Sequence, residues 1–325
     1  MYVPDFLAYG GLLMVSLQRS QTDQKIPKLK LNPMTRRAKR DAFTFALFTF
    51  PNFLLLTVFV FWPIFYSLFL SFFKWDMIAP KKRFIGFENY RVMFNDPVFW
   101  LITRNTLILS VWVVVLKLAI SLSLAMVMNR DLKGRSFYQA IIFSPTFTTS
   151  VAVAMVWRWI LEPDYGLLRV FMRPFGIAPI NWIESTTHSL PAVIIVLIWV
   201  GIGYDMVIFL AGLKNIPPEL YDAGLVDGVS PMQEFIHITF PLLSPTTFFL
   251  TITGFISALK SFDIIAILTG GGPLNTSNVL VHFLYENAFR WFKTGYASAL
   301  ALLLFIVIMA ITLVQNRLSK RWVHY

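Results

Sequence analysis

The 325-residue chain has no cysteine, so structural disulfides and thiolate metal sites are excluded. Charge is scarce: 14% of residues are Asp, Glu, Lys or Arg, where a soluble domain carries about 25%. Acidic residues are the scarcer kind, 17 against 28 basic, which leaves a formal net charge of +11. No Gly-x4-Gly-Lys-Ser/Thr phosphate loop occurs, so the chain is not expected to bind ATP in that way. The four histidines, His188, His237, His282 and His324, lie far apart without metal-ligand spacing. No catalytic constellation, no metal site and no cofactor of the chain's own is expected. The turn Gly270-Gly271-Gly272-Pro273 is read as structure and not as a phosphate cradle.

Apolar residues fill the remainder. The chain is 57% hydrophobic, with 32 Phe and 10 Trp, a composition suited to lipid-facing and interfacial surfaces. Its basic residues cluster at the chain ends and in loops beside apolar runs. Such clusters set membrane topology or touch anionic lipid. Nucleic-acid binding is not expected, because no binding fold accompanies the charge.

A membrane span needs about 20 mainly apolar residues. Six segments qualify: Phe43 to Phe73, Leu101 to Met128, Phe137 to Ile160, Ser189 to Leu213, Pro241 to Leu268 and Tyr296 to Val314. The expected fold is therefore all-α and polytopic. Residues 1–42 form a cytoplasmic or interfacial extension, 43–316 the membrane domain and 317–325 a tail. The apolar run Phe6 to Leu17 is too short to span and lacks the flanks of a signal peptide. Met34 is an alternative start that would leave this run untranslated.

Basic residues set the orientation. Lys25, Lys28, Lys30, Arg36, Arg37, Lys39 and Arg40 precede the first span. Arg130, Lys133 and Arg135 lie between the second and third, and Arg317, Lys320 and Arg321 follow the sixth. By the positive-inside rule both termini are cytoplasmic. The loop Lys74 to Trp100, with five basic residues of its own, argues against this and is outvoted by the other three regions. With four crossings before it, the polar loop 214–241 falls on the cytoplasmic side.

That loop is the most informative stretch. Pro217-Pro218 ends one segment and opens a short helix. Glu219 and Asp222 stand in its first turn, where negative charge suits the helix dipole. Ala223 and Gly224 keep one face small, and Gly228 permits a sharp reversal. Ser230 is a candidate N-cap with Pro231 behind it. Glu234 stands one residue too far on for a capping box. Pro241 is expected to break the helix where the fifth span begins.

The pattern Asp222-Ala223-Gly224-x3-Gly228-x9-Ile238-x-Phe240-Pro241 resembles the "EAA" loop in membrane subunits of ABC importers. Other segments extend the resemblance over nearly the whole chain. They are Pro63 to Ser67, Phe84-Ile85-Gly86-Phe87-Glu88-Asn89-Tyr90, Asn105-Thr106, Trp157-Arg158-Trp159 with Pro163 to Gly166, and Phe255 to Asp263 with Leu268 to Pro273. Together they resemble the carbohydrate branch, and within it the first, maltose-type permease of a two-permease system. The loop departs from the family pattern at Asp222, Gly224 and Phe240, so any salt bridge from the shorter Asp222 must be rearranged.

The resemblance implies a six-helix permease core in a bacterial or archaeal inner membrane. It implies a heterodimer with a second permease, two ATPase subunits that bind ATP and Mg, an external solute-binding protein and a carbohydrate substrate. The chain itself is then a transport subunit and not an enzyme. Glu219, Asp222, Ala223, Gly224, Asp227, Gly228, Ile238 and Pro241 become the candidate ATPase contacts.

Charges within the spans are costly and usually face a cavity or a partner. Lys117 lies in the second span, Asp205 in the fourth beside Tyr204 and Met206, and Lys260 and Asp263 flank Phe262 in the fifth. These seven are the candidate pathway residues. Lys260 and Asp263, three apart, would pair with each other on a continuous helix. Aromatic faces beside polar groups suit a sugar, and Trp199, Phe262 and Trp291 are candidates. The intramembrane cations would suit an acidic sugar such as a uronate oligosaccharide or a sugar phosphate. The alternatives are an ion-gradient-driven secondary transporter and a non-transporting membrane scaffold.

Overall fold

The computed structural model describes residues 36–78 and 80–322. Its only strands among these are β1 (Phe73–Lys74) and β2 (Arg83–Phe84), an antiparallel pair. The rest is helix and loop, as an apolar bilayer demands of a chain whose backbone must satisfy its own hydrogen bonds.

By clustering of contacts the chain divides at residue 60. Helix α1 (Arg36–Leu56) of the first unit leads into a five-residue π turn, Thr57–Phe61, at the division. The second unit begins with α2 (Trp62–Leu70), followed by β1, β2 and α3 (Glu88–Asn95). Next come α4 (Pro97–Met128), α5 (Arg135–Phe143), α6 (Ser150–Ile160), α7 (Leu167–Met172) and α8 (Ser189–Lys214). The hairpin helices are α9 (Pro218–Val226), α10 (Pro231–Glu234) and α11 (Phe240–Leu242). The chain finishes with α12 (Ser244–Leu259), α13 (Asp263–Leu268), α14 (Leu280–Tyr285) and α15 (Thr294–Trp322).

Among the described residues, four helices are long and apolar enough to cross a membrane unbroken: Arg40–Leu70, Pro97–Met128, Ser189–Lys214 and Thr294–Leu318. The expected third and fifth spans are not single helices. Arg135–Phe147 and Ser150–Ile160 meet at 103°, and Pro231–Leu242 and Ser244–Leu259 at 65°. The first break follows from Pro145, which opens on a tight 3-10 turn and is followed by extended backbone at Thr148 and Thr149. The Thr149 hydroxyl then caps α6 by accepting from Ala152 N–H at 3.4 Å. The fifth span is interrupted again at its far end, between Leu259 and Asp263.

Close helix approach depends on small residues. At Gly203 on α8, a Cβ would collide with the Ile142 carbonyl and lie 2.7 Å from the Phe143 Cα. The glycine therefore lets α8 press directly on the backbone of α5. Beside this contact Met206, Phe209, Leu210 and Leu243 pack into one core cluster.

Candidate functional site

Two regions carry the chemistry: a polar cavity between the spans and the hairpin after α8.

The cavity has a volume of about 360 Å³. Helix α4 contributes Lys117, α8 contributes Gly201, Tyr204 and Asp205, and the break between α12 and α13 contributes Lys260, Phe262 and Asp263. Six of the seven expected pathway residues thus meet around one space. Met206 does not. Its side chain is fully buried in the core cluster on the other side of α8, because neighbours on a helix point about 100° apart.

Lys117 Nζ lies 2.9 Å from Asp205 Oδ2, and both side chains are almost wholly buried. That separation is the one expected of a charge-assisted contact between an ammonium and a carboxylate. Gly201 makes the pair possible: a Cβ there would sit 2.6 Å from the Lys117 Cδ. Gly254 on α12 lies against the same ammonium, 3.8 Å from a built Cβ. The lysine stem therefore threads between two helices through gaps left by missing methyl groups.

Lys260 and Asp263 do not form an ion pair among the described residues. Lys260 ends α12 and Asp263 starts α13, so the i, i+3 spacing of a continuous helix no longer applies. Both are exposed to the cavity mouth, with the half-buried Phe262 between them. Phe262 stacks on His282 of α14 at 5.8 Å between ring centres. Of the other aromatic candidates, Trp199 packs edge-on against Trp157 at 5.5 Å, and Trp291 borders a different cavity.

The α14 region rests on a polar network that the sequence did not reveal. Asn278 donates to Glu286 at 3.0 Å and pairs with His282 Nδ1 at 2.9 Å, and Arg290 donates to Glu286 at 3.2 Å. Asn105 donates to the Asn275 carbonyl at 2.8 Å, and the Thr106 hydroxyl accepts from Leu280 N–H at 2.9 Å. The Asn105-Thr106 pair therefore ties α4 to the turn before α14. Burial holds the His282 pKa below the usual histidine value of 6.5; the Glu286 carboxylate opposes this, and Arg290 adds to it.

The hairpin is built by turn chemistry. Gly228 sits at φ +69 with open space around it. Val229 N–H donates to the Gly224 carbonyl at 3.0 Å and closes the end of α9. Ser230 does form a capping box, but with Gln233: Gln233 N–H reaches Ser230 Oγ at 3.4 Å, and Ser230 N–H reaches Gln233 Oε1 at 2.8 Å. Pro241 does not break the helix either. It lies within α11, after a π turn over Phe235–Thr239, and the bend falls at Leu243.

The eight expected contact residues separate into two groups. Glu219, Asp222, Ala223, Asp227 and Gly228 are exposed. Gly224 is buried, with its built Cβ 3.0 Å from Val229 Cγ2 and 3.2 Å from Ile238 Cδ1, so Gly224 and Ile238 hold the two arms together. Pro241 is half-buried. The most exposed apolar side chains of the hairpin, Leu225 at 80% and Val226 at 87%, lie outside the expected contact set. Two bulky aliphatic residues ending a short polar helix were the available signal.

With this geometry in view, comparison with known proteins is decisive. Residues 117–324 match the family described as the binding-protein-dependent transport system inner membrane component. The chain belongs to this family. The permease is 34% identical over 271 residues to the probable ABC transporter permease protein YurN of Bacillus subtilis, covering 82% of this chain and 93% of that one. It is 32% identical over 292 residues to the trehalose/maltose transport system permease protein MalF of Thermococcus litoralis, covering 89% and 98%. Its fold matches a chain of a bacterial ABC transporter involved in import of the acidic polysaccharide alginate. There the TM-score is 0.76 at 26% identity, over 87% of this chain and 96% of that one. The permease is thus an integral inner-membrane transport subunit of an ABC importer, and not an enzyme.

Proposed function

We propose that the permease forms half of the translocation pathway of an ATP-driven importer of sugars or oligosaccharides, acidic ones such as uronate oligosaccharides or sugar phosphates included. A similar second permease supplies the other half. Two ATPase subunits bind ATP and Mg on the cytoplasmic side, where both termini also lie. A solute-binding protein delivers the carbohydrate from outside.

The observation that carries this reading is the continuity of hairpin and cavity. Helices α9 to α11 run through the bend at Leu243 into α12. Helix α12 presents Gly254, Ser257 and Ala258 to the cavity and ends at Lys260. The exposed Leu225 and Val226 supply apolar area for seating in an ATPase groove, and Glu219, Asp222 and Asp227 surround it with negative charge. Closure of the ATPase dimer on ATP would move the seated hairpin as a rigid body. Helix α12 would follow, and the cavity would pass from one face of the membrane to the other. Within the cavity, aromatic and hydroxyl groups (Tyr204, Phe262, Ser257) suit a sugar's apolar faces and polar edges, and Lys117 and Lys260 suit a carboxylate or phosphate.

The test is co-purification. The tagged chain, expressed with its neighbouring genes and extracted in mild detergent, should bring down a second permease and an ATPase. The double substitution Leu225→Asp/Val226→Asp should lose the ATPase alone. A well-folded wild-type chain that purifies without any ATPase would favour a gradient-driven transporter or a scaffold.

A further inference from the structure

A second and larger cavity, of about 810 Å³, plays no part in that reading. It lies where the chain leaves the first span at Lys74, enters the second at Asp96 and Val98, and enters the sixth at Gly295 and Tyr296. Topology sets this end of the spans opposite the hairpin. Its volume falls within the range of about 300–1,000 Å³ typical of small-ligand sites.

The cavity is firmly built. Asn89 donates to the carbonyls of Ser71 at 2.7 Å and Phe73 at 3.0 Å, and Tyr90 donates to the Ser71 hydroxyl at 2.7 Å. This clamps α3 and the β1–β2 ribbon to the end of the first span. At Gly295 a Cβ would collide with the Phe73 carbonyl, and Gly295 N–H donates to the Trp75 carbonyl at 3.3 Å. The start of α15 is thereby pinned to the same ribbon.

Three properties of the lining identify its ligand. Ile85, Val92, Val98 and Phe283 give an apolar wall. Trp75 and Trp291 stand beside it, and indoles collect at the headgroup level of a bilayer. Lysines 74, 81 and 293 face the same space as Asp76, Glu88 and Asp96, three cations and three carboxylates.

We propose that this cavity binds the headgroup of a zwitterionic aminophospholipid. The phosphate accepts hydrogen bonds from the lysine ammonium groups. The lipid's primary ammonium donates to the carboxylates, and its glycerol and first acyl carbons lie along Ile85, Val92 and Val98. An anionic headgroup would meet the three carboxylates with no cation of its own. A neutral saccharide would engage neither the cations nor the carboxylates by charge.

Native mass spectrometry of the full chain in mild detergent, with equal amounts of phosphatidylethanolamine, phosphatidylglycerol and phosphatidylcholine, tests this. One phosphatidylethanolamine per chain should be retained several-fold over the other two. The surface double variants Lys81→Ala/Lys293→Ala and Asp76→Asn/Glu88→Gln should each lower that retention several-fold. Their thermal unfolding should match the wild type. Equal retention of the three lipids overturns the proposal, as does retention unchanged in both variants. Loss of the lipid on adding trehalose also overturns it and assigns the cavity to saccharide.

Discussion

The hairpin and the cavity between the spans lie at two ends of one connected segment, yet they are held together by opposite means. The hairpin is made of backbone turns and caps, with its charged side chains at the surface. The cavity is made of one buried ion pair and the glycines that admit it. Solvent-exposed chemistry can be exchanged without disturbing the fold, whereas a buried charge depends on its partner. The hairpin should therefore separate function from stability, and the cavity should not.

The largest expected effect is Lys117→Ala. Removing one member of a buried pair typically costs about 3–5 kcal/mol, while replacing both members by apolar residues of similar size is often near neutral. Thermal unfolding in detergent should show a large loss for Lys117→Ala and little loss for Lys117→Met/Asp205→Leu. Equal losses would mean that the pair is not what holds this region. Next comes Gly203→Val, which drives side-chain atoms into the α5 backbone. Overpacking of this kind costs about 1–3 kcal/mol, read by the same unfolding measurement.

Gly228→Val sharpens the comparison from the hairpin side. The site is open, so only the positive φ resists, at about 1–3 kcal/mol. Membrane insertion should be spared and solute uptake lost; normal uptake would count heavily against a coupling role. Smaller again is Leu225→Asp/Val226→Asp, which should change stability by no more than about 0.5 kcal/mol while abolishing ATPase co-purification. The smallest effect concerns pH. His282 is held neutral by burial, its pKa below 6.5, so its contribution to stability is present above that value and lost as pH falls through the lowered pKa. The unfolding temperature should drop on acidification through this range, and His282→Gln should flatten the drop.

The sequence pattern located the hairpin because turn residues act locally: proline, glycine and serine dictate backbone geometry wherever they stand. The scarcity of charge in the spans located the cavity, since Lys117, Asp205, Lys260 and Asp263 stood out against an apolar background. Other features were illegible for physical reasons. Gly201 and Gly203 differ only in which helix lies across them, and no local signal encodes that. The interruptions at Ser144–Phe147 and Lys260–Phe262 did carry local signals, Pro145 in the first and Lys260 with Asp263 at the second, but a window of about 20 residues averages each into one apolar span. Gln233 closes the capping box because an amide at this position accepts from the cap N–H as an acid would. The cavity at Tyr296 draws on residues from 74 to 296, so only the folded chain assembles it.

The π turn at Phe235–Thr239 has a consequence for indels. A π turn accommodates one residue more than an α turn, and one residue corresponds to about 100° of helical rotation. The extra residue is absorbed within the wider turn, so the helical phase beyond it is kept. Deleting a single position between 235 and 239 would let the segment relax to α geometry and leave Gly254 facing Lys117. Deleting one from the regular helix between Ser244 and Thr253 would instead turn Gly254 away by about 100°. The π turn is thus a point of slack: it can lose a residue that the helix beyond it cannot.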